Sequence, residues 1–220
     1  MSQQTETPRK RLNRARVLHA AIALADQTGL EAFSMRGLAQ ELGVVPMALY
    51  KHVANKDELL DGIVDIVFSE IDAPTPDQDW RSALRRRAIS AREALKRHPW
   101  AIGLLESRHP GPANLRLHDA VMGCLRKAGF SFQTAIHAYS VQDAYIYGFA
   151  LQDQDLAFET PQSAGKAAQR RAERIGDLDD YPYLAEVVAR LPETGYDPDI
   201  EFAWGLDLIL NGLDQLRHQA

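Results

Sequence analysis

The chain has 220 residues, 45% hydrophobic and 25% charged, with a formal net charge of −5, enough for a sizeable core in one large domain or in a small domain joined to a larger one. No run of 18 uncharged apolar residues occurs, and the polar, basic start MSQQTETPRKRLNR leads into no apolar segment, so neither a membrane span nor a signal peptide is expected and the cytoplasm is the expected location. Residues 1–56 carry eight basic side chains against four acidic ones, a net of +4, whereas the remainder carries 17 against 26, a net of −9; a basic head on an acidic body can hold a polyanion at one end, although charge alone leaves an ordinary uneven distribution equally open.

Helical spacing runs through nearly the whole chain and no alternating strand pattern stands out, so the expected fold is all-α. Residues 1–12 read as a flexible basic arm. Helix 1 is predicted from Asn13, a side chain able to cap it, to about Thr28, with Val17, Ala20, Ala21, Leu24 and Ala25 on one face and Gly29 suited to the left-handed position beyond its end. Ser34 can cap a short second helix whose Met35, Leu38, Ala39 and Leu42 repeat at i, i+3, i+4, i+7, and Gly43 breaks that pattern. A third helix of at most about seven residues is expected from Pro46 to His52, since proline is tolerated in a first turn. Asn55, with Glu58 three residues on, forms a capping box for helix 4, whose stripe Leu59, Leu60, Ile63, Val64, Val67, Phe68, Ile71 continues to about Asp72. The proline-rich segment 73–78 is the expected boundary between a head, residues 13–60 with helix 4 running on, and a body, residues 78–220.

Two short helices separated by a glycine-containing turn, with a helix before them, match the helix-turn-helix. Leu49 and Val53, four apart, are the expected buried pair of the third helix. Pro46, Met47, Ala48, Tyr50, Lys51 and His52 cannot all face inward; small, aromatic and basic, they suit a major groove, where methyl-bearing groups pack on thymine C5-methyls and the polar tips reach phosphates or base edges. Lys56 adds a cation at the start of helix 4, suited to phosphate.

The residues FSMRGLAQELGVVPMALYKHVANKDELL, 33 to 60, resemble the DNA-binding head of the TetR family of transcriptional regulators. HPW at 98–100, RKAGF at 126–130 and FAWGLDLILNGLDQL at 202–216 resemble, more weakly, the C-terminal domain shared by the tetracycline repressor and its nearer relatives. The resemblance implies a homodimer of all-helical subunits that binds a near-palindromic double-stranded operator and is released by a small molecule held in the body. Carried over by position, Arg36, Met47, Ala48, Tyr50, Lys51 and His52 match operator-contacting positions, with Lys56 on phosphate. The third helix lacks Gln, Asn or Arg for bidentate base recognition, which leaves a guanine contact by Arg36 as the expected source of specificity.

In the body, helices are predicted at 80–97, 99–106, 112–127, 131–156, 183–191 and 198–218, with 157–182 a mobile polar insertion holding at most one loose helix. The run Arg85-Arg86-Arg87 reads as a solvated face, and Cys124, on the stripe Leu117, Val121, Cys124, Leu125, Ala128, as a core thiol. Two stripes on the 131–156 helix divide its work. Val141, Ala144, Gly148 and Leu151, with Phe202, Gly205, Ile209, Gly212 and Leu216 on the last helix, suit a four-helix dimer interface; a larger monomeric core has the same periodicity, so the dimer is what the resemblance adds. The other stripe places Tyr139, Gln142, Tyr145 and Phe149 together, and with His98, Trp100, Leu104, His118 and Met122 these are the expected lining of an effector cavity, apolar with a few convergent polar groups. No HExxH, GxSxG, P-loop or GxGxxG occurs, and His109 in the loop SRHPGP is a poor match to the histidine that holds a ligand-bound magnesium in the tetracycline repressor; no metal, cofactor or catalytic residue is assigned. The expected function is a ligand-responsive regulator, a repressor and not an enzyme; an enzyme transforming a small molecule and a DNA-binding protein without a ligand are the alternatives.

Overall fold

The computed structural model describes residues 11–217 except 76, 106–107, 157–177, 179 and 195–196, and every regular element among the described residues is a helix. In chain order these are α1 (Arg14–Thr28), α2 (Met35–Glu41), α3 (Pro46–Leu49), α4 (Lys56–Ser69), α5 (Trp80–Arg97), a 3-10 turn (Pro99–Ala101), α6 (Ile102–Leu105), α7 (Pro112–Lys127), α8 (Phe132–Leu156), α9 (Pro182–Thr194) and α10 (Pro198–Arg217). The insertion expected at 157–182 falls almost wholly outside the described residues.

The helix ends lie where side-chain chemistry puts them. Asn13 Oδ1 accepts from the Arg16 amide at 2.8 Å, Ser34 Oγ from Gly37 at 3.1 Å, Asn55 Oδ1 from Glu58 at 2.8 Å, and an Asp79 carboxylate oxygen from Ser82 at 2.9 Å, each taking up an amide that the first helical turn leaves unpaired. The Glu58 carboxylate closes its box one residue earlier than expected, accepting from the Ala54 amide at 2.6 Å. That backbone bond, ahead of the Arg14 contact, holds its carboxyl below the usual range. Gly43 takes φ 66°, which turns the chain between α2 and α3 through a region costly for any other residue. Helix α3 is shorter than expected: it ends at Leu49, and Tyr50, Lys51 and His52 continue as a turn.

Helix α4 belongs to both halves. It packs on α1 and on α7, and its Leu59, Leu60, Ile63, Val64, Val67 and Phe68 are all buried. Gly62 brings it against Leu18 of α1, whose side chain stands 2.8 Å from where a Cβ would be. In the body, α8 packs against α5, α7 and α10, around Leu84, Leu95, Leu125, Phe130, Ile146, Phe202 and Leu206. Trp80 meets Phe130 edge-on at 4.9 Å. Cys124 is buried there, and burial pushes its thiol pKa up.

Candidate nucleic-acid interface and effector site

Leu49 and Val53 are 0% and 2% exposed and anchor α3 to the head core. This leaves Arg36, Pro46, Met47, Tyr50 and Lys51 exposed on one rim, with Ala48 and His52 half-buried among them. Val45, which sequence reasoning did not single out, is 69% exposed, as is Met47. Lys56 is exposed, yet its ammonium donates to the Phe33 carbonyl at 3.1 Å and lies 5.6 Å from the Phe33 ring centre, so it also ties α4 to the segment before α2.

The joint between head and body is charged. His98 and Trp100, expected to line a cavity, instead meet the head: Trp100 Nε1 donates to Asp26 of α1 at 2.6 Å, and the two ring nitrogens of His98 face Asp26 at 2.8 Å and Glu70 at 3.2 Å. Arg97 donates to Glu70 at 2.6 Å; burial alone would raise the Glu70 carboxyl, and the contacts from Arg97 and His98 offset this and leave it lowered. Further along α4, Asp65 accepts from the amides of Ala113 and Asn114 at 2.8 and 3.1 Å, which caps α7, a role with no local sequence signal because 48 positions separate the partners. A side chain at Gly111 would overlap the Asp65 carboxyl. Arg108 donates to Asp57 at 2.8 Å and stands 3.7 Å from Asp61. The carboxylates of α4 are thus gripped from the body at several points.

The remaining cavity candidates divide into two groups. Gln142 is fully buried and satisfied, accepting from Arg87 at 2.7 Å and donating to the Leu84 carbonyl at 3.2 Å. Arg87 is 1% exposed, which corrects the reading of the arginine run as a solvated face: Arg85 pairs with Asp207 and Arg86 with Gln78 outside, whereas Arg87 turns inward to Asp143 at 2.5 Å. A period of 3.6 places Arg87 between Leu84 and Ala91 on the buried face, the signal that the run obscured. Around this pair Tyr139 stacks on His118 with ring centres 4.0 Å apart and hydroxyl to Nδ1 3.1 Å, and the Arg87 guanidinium lies 5.2 Å from the Tyr139 ring. Burial first, then Asp143, raises the Tyr139 phenol well above its ordinary range. Met122 packs half-buried against the core nearby in sequence to His118 on α7, and Leu104 half-buried on α6. Tyr145 and Phe149 form the second group, clustered with Phe202; the Tyr145 hydroxyl donates to the Phe202 carbonyl at 2.9 Å, and Arg92, held by Asp153 at 2.6 Å, lies 4.8 Å from both phenylalanine rings. A hollow of about 250 Å³ bordered by Trp80, Cys124, Lys127 and Arg217 includes none of the nine candidates.

Along α8, Val141, Ala144 and Leu151 are exposed and Gly148 half-buried. On α10 the stripe is rotated from the one expected. Phe202 is 2% exposed inside the subunit, and Gly205 abuts the Tyr145 hydroxyl, while Ile209 and Gly212 are half-buried and Leu216 exposed. The exposed large apolar residues of α10 are Ile200, Trp204, Leu208 and Leu216, spaced by four with Gly212 between the last two, a periodicity that was open to reading in the sequence. A Cβ at Gly148 or at Gly212 would meet nothing within 4 Å.

No helix among the described residues is long and apolar enough to cross a membrane. Residues 17–63 match the family of bacterial regulatory proteins of the tetR type, and residues 73–217 match the tetracyclin repressor-like C-terminal domain. The HTH-type transcriptional repressor DrrR1 of Streptomyces coeruleorubidus is 34% identical over 95% of this chain and 80% of its own length, and the class A tetracycline repressor of transposon 1721 from Escherichia coli is 30% identical over 91% and 90%. Among solved structures, the Streptomyces coelicolor TetR family protein ActR in complex with actinorhodin superimposes with a TM-score of 0.76 at 30% identity, covering 92% of this chain and 97% of ActR. With both halves matched and relatives aligned along nearly its full length, the chain belongs to the TetR family of transcriptional regulators.

Proposed function

We propose that the chain is a repressor that binds a near-palindromic operator as a homodimer and leaves it when a small molecule enters the body. The observation that carries this reading is the division of α2, α3 and the turn after it: Leu49 and Val53 are buried, while Arg36, Met47, Tyr50 and Lys51 are left exposed as a cation-bearing rim of the basic head. Such a rim fits a major groove, with Lys51 and Lys56 toward phosphate. Two rims one helical turn apart need about 34 to 36 Å between them, and in this reading the twofold axis that pairs them lies at the exposed faces of α8 and α10. Val141, Ala144, Gly148 and Leu151 with Trp204, Leu208, Gly212 and Leu216 support that interface, where the glycines allow close approach.

The effector site in this reading lies between α5, α7 and α8, where Arg87, His118, Tyr139 and Gln142 gather aromatic faces and polar atoms. Its signal reaches DNA through α4, whose Asp57, Asp65 and Glu70 are held by Arg108, the start of α7, and Arg97 with His98. A ligand that favours one setting of these contacts tilts α4 and changes the rim spacing, with coupling of about 1 to 3 kcal/mol typical of such systems. Fluorescence anisotropy with DNA from the promoter beside its own gene is expected to show a palindrome-dependent complex at low salt, released by compounds that raise the melting temperature. No complex at 50 mM salt would sink the reading.

A further inference from the structure

His98 is 7% exposed where α5 ends and the 3-10 turn begins, and each of its ring nitrogens faces a carboxylate of the head. Nδ1 stands 2.8 Å from Asp26 of α1, and Nε2 stands 3.2 Å from Glu70, the residue that ends α4. A neutral imidazole has one N–H and one lone pair, and a lone pair turned on a carboxylate oxygen is repelled. Only the imidazolium donates to both. The charges agree: among the described residues the other cation bonded here is Arg97, which donates to Glu70 at 2.6 Å, so two carboxylates are balanced when His98 is positive. From the 3-10 turn Trp100 Nε1 donates to Asp26 at 2.6 Å, and from α8 the neutral Gln154 donates to the Pro99 carbonyl at 2.7 Å. Loss of the proton strands neither carboxylate, because Asp26 keeps Trp100 and Glu70 keeps Arg97 when His98 lets one of them go. The joint therefore has two settings that both satisfy their polar groups. In one a body residue bridges α1 to the end of α4, and in the other it holds a single head helix; a pair of states that differ by one proton on a histidine is what a pH-sensitive element requires.

We infer that His98 is a proton-operated clasp between body and head, through which acid strengthens and alkali weakens the hold on DNA. The α4 tilt that releases DNA carries Glu70 away from His98, so a proton that bridges Glu70 to Asp26 opposes the tilt, and its loss eases it. The effect on DNA rests on the operator-binding reading above, whereas the clasp itself rests on the surroundings of His98.

The full-length chain is used to select a palindrome from randomised duplexes, and affinity for that duplex is measured by fluorescence anisotropy at constant ionic strength. The gain in affinity from about pH 8 to about pH 6 is expected to be about three- to tenfold larger in the parent than in His98→Gln, the effect of linking about one proton per subunit. The other histidines, His52 on the rim included, are common to both proteins and cancel. Calorimetry of the same complex in two buffers of different ionisation enthalpy counts protons, and uptake should be greater in the parent than in His98→Gln or Glu70→Gln. In the latter variant the ring stays in place, but a glutamine offers Nε2 either an oxygen or an amine, so a neutral ring serves both sides. Melting temperatures check that both variants are folded. Without DNA, the nitrogen-15 signals of the His98 ring should show both nitrogens protonated at about pH 6 and one bare nitrogen as pH rises. A bare ring nitrogen at the acid end, or pH profiles that coincide in the parent and both variants, would overturn the inference while leaving operator binding intact. If no sequence is enriched at all, the operator reading fails, and the nitrogen signals alone decide whether the clasp exists.

Discussion

The rim of α2 and α3 and the joint around α4 are both rich in groups that a folded chain normally hides or pairs, yet they treat them oppositely. At the joint nearly every charge has a partner within the molecule: Asp26, Asp57, Asp65 and Glu70 are met by His98 and Trp100, Arg108, two backbone amides, and Arg97. On the rim, Val45 and Met47 are left 69% exposed, and Arg36 and Lys51 stand out in solvent. Groups satisfied internally set the shape of the protein, and groups left over set what it meets. Substitutions at the first kind should therefore register as stability, and at the second kind as affinity.

The largest effect is expected where an internally satisfied charge is buried most deeply. Arg87→Met strands the Asp143 carboxylate and a Gln142 oxygen in the core, and should cost about 3 to 5 kcal/mol in urea denaturation; the Arg87→Met/Asp143→Leu double variant should recover most of it, and if it does not, the pair is more than mutual compensation. Next, Gly111→Ala drives a methyl into the Asp65 carboxyl and should cost about 1 to 3 kcal/mol by pushing α7 from α4, with effector release altered in the same variant. On the rim, Tyr50→Ala and Lys51→Ala should leave stability within about 0.5 kcal/mol and weaken operator binding about tenfold, Lys51→Ala also lowering the salt slope by about one unit. If both unfold the protein, the rim belongs to the core as the joint does. The smallest effect is a pH dependence. Because the folded Glu70 carboxyl lies below its ordinary value near 4.5, its contribution is present above that pH and is lost as pH falls through the folded value. The melting temperature of Glu70→Gln should accordingly fall less than that of the parent between pH 5 and pH 3, in a scan at constant ionic strength.

Local features were readable and distant ones were not. Caps, the positive φ at Gly29 and the ends of α1, α2, α5, α7, α8 and α10 follow from short-range chemistry, and the structure places them within a residue or two of where spacing predicts. The exposure of the rim was legible for the same reason, since it is the complement of the Leu49 and Val53 anchor. His98 and Trp100 were misplaced because their partner, Asp26, is more than 70 positions away, and no pattern in either segment announces it. Arg87 was hidden by its neighbours: a triplet of arginines reads as one face, although on a helix consecutive residues point some 100° apart. The rotated stripe on α10 arose from counting Phe202 as a surface residue, when Tyr145 and Phe149 hold it inside.

Helix α4 carries a further consequence for anyone recombining such proteins. Because Gly62 seats it on Leu18 of the head while Asp65, one turn on, caps α7 of the body, no peptide bond within it separates one cooperative unit from the other. A chimera joined near residue 60 would put a foreign second half of α4 against native Leu18, and one joined after Ile71 would put a native α4 against a foreign α7. Exchange of specificities is therefore expected to succeed when the α4 surface and the two faces that receive it travel together, so that the transferable module is an interface and not a domain.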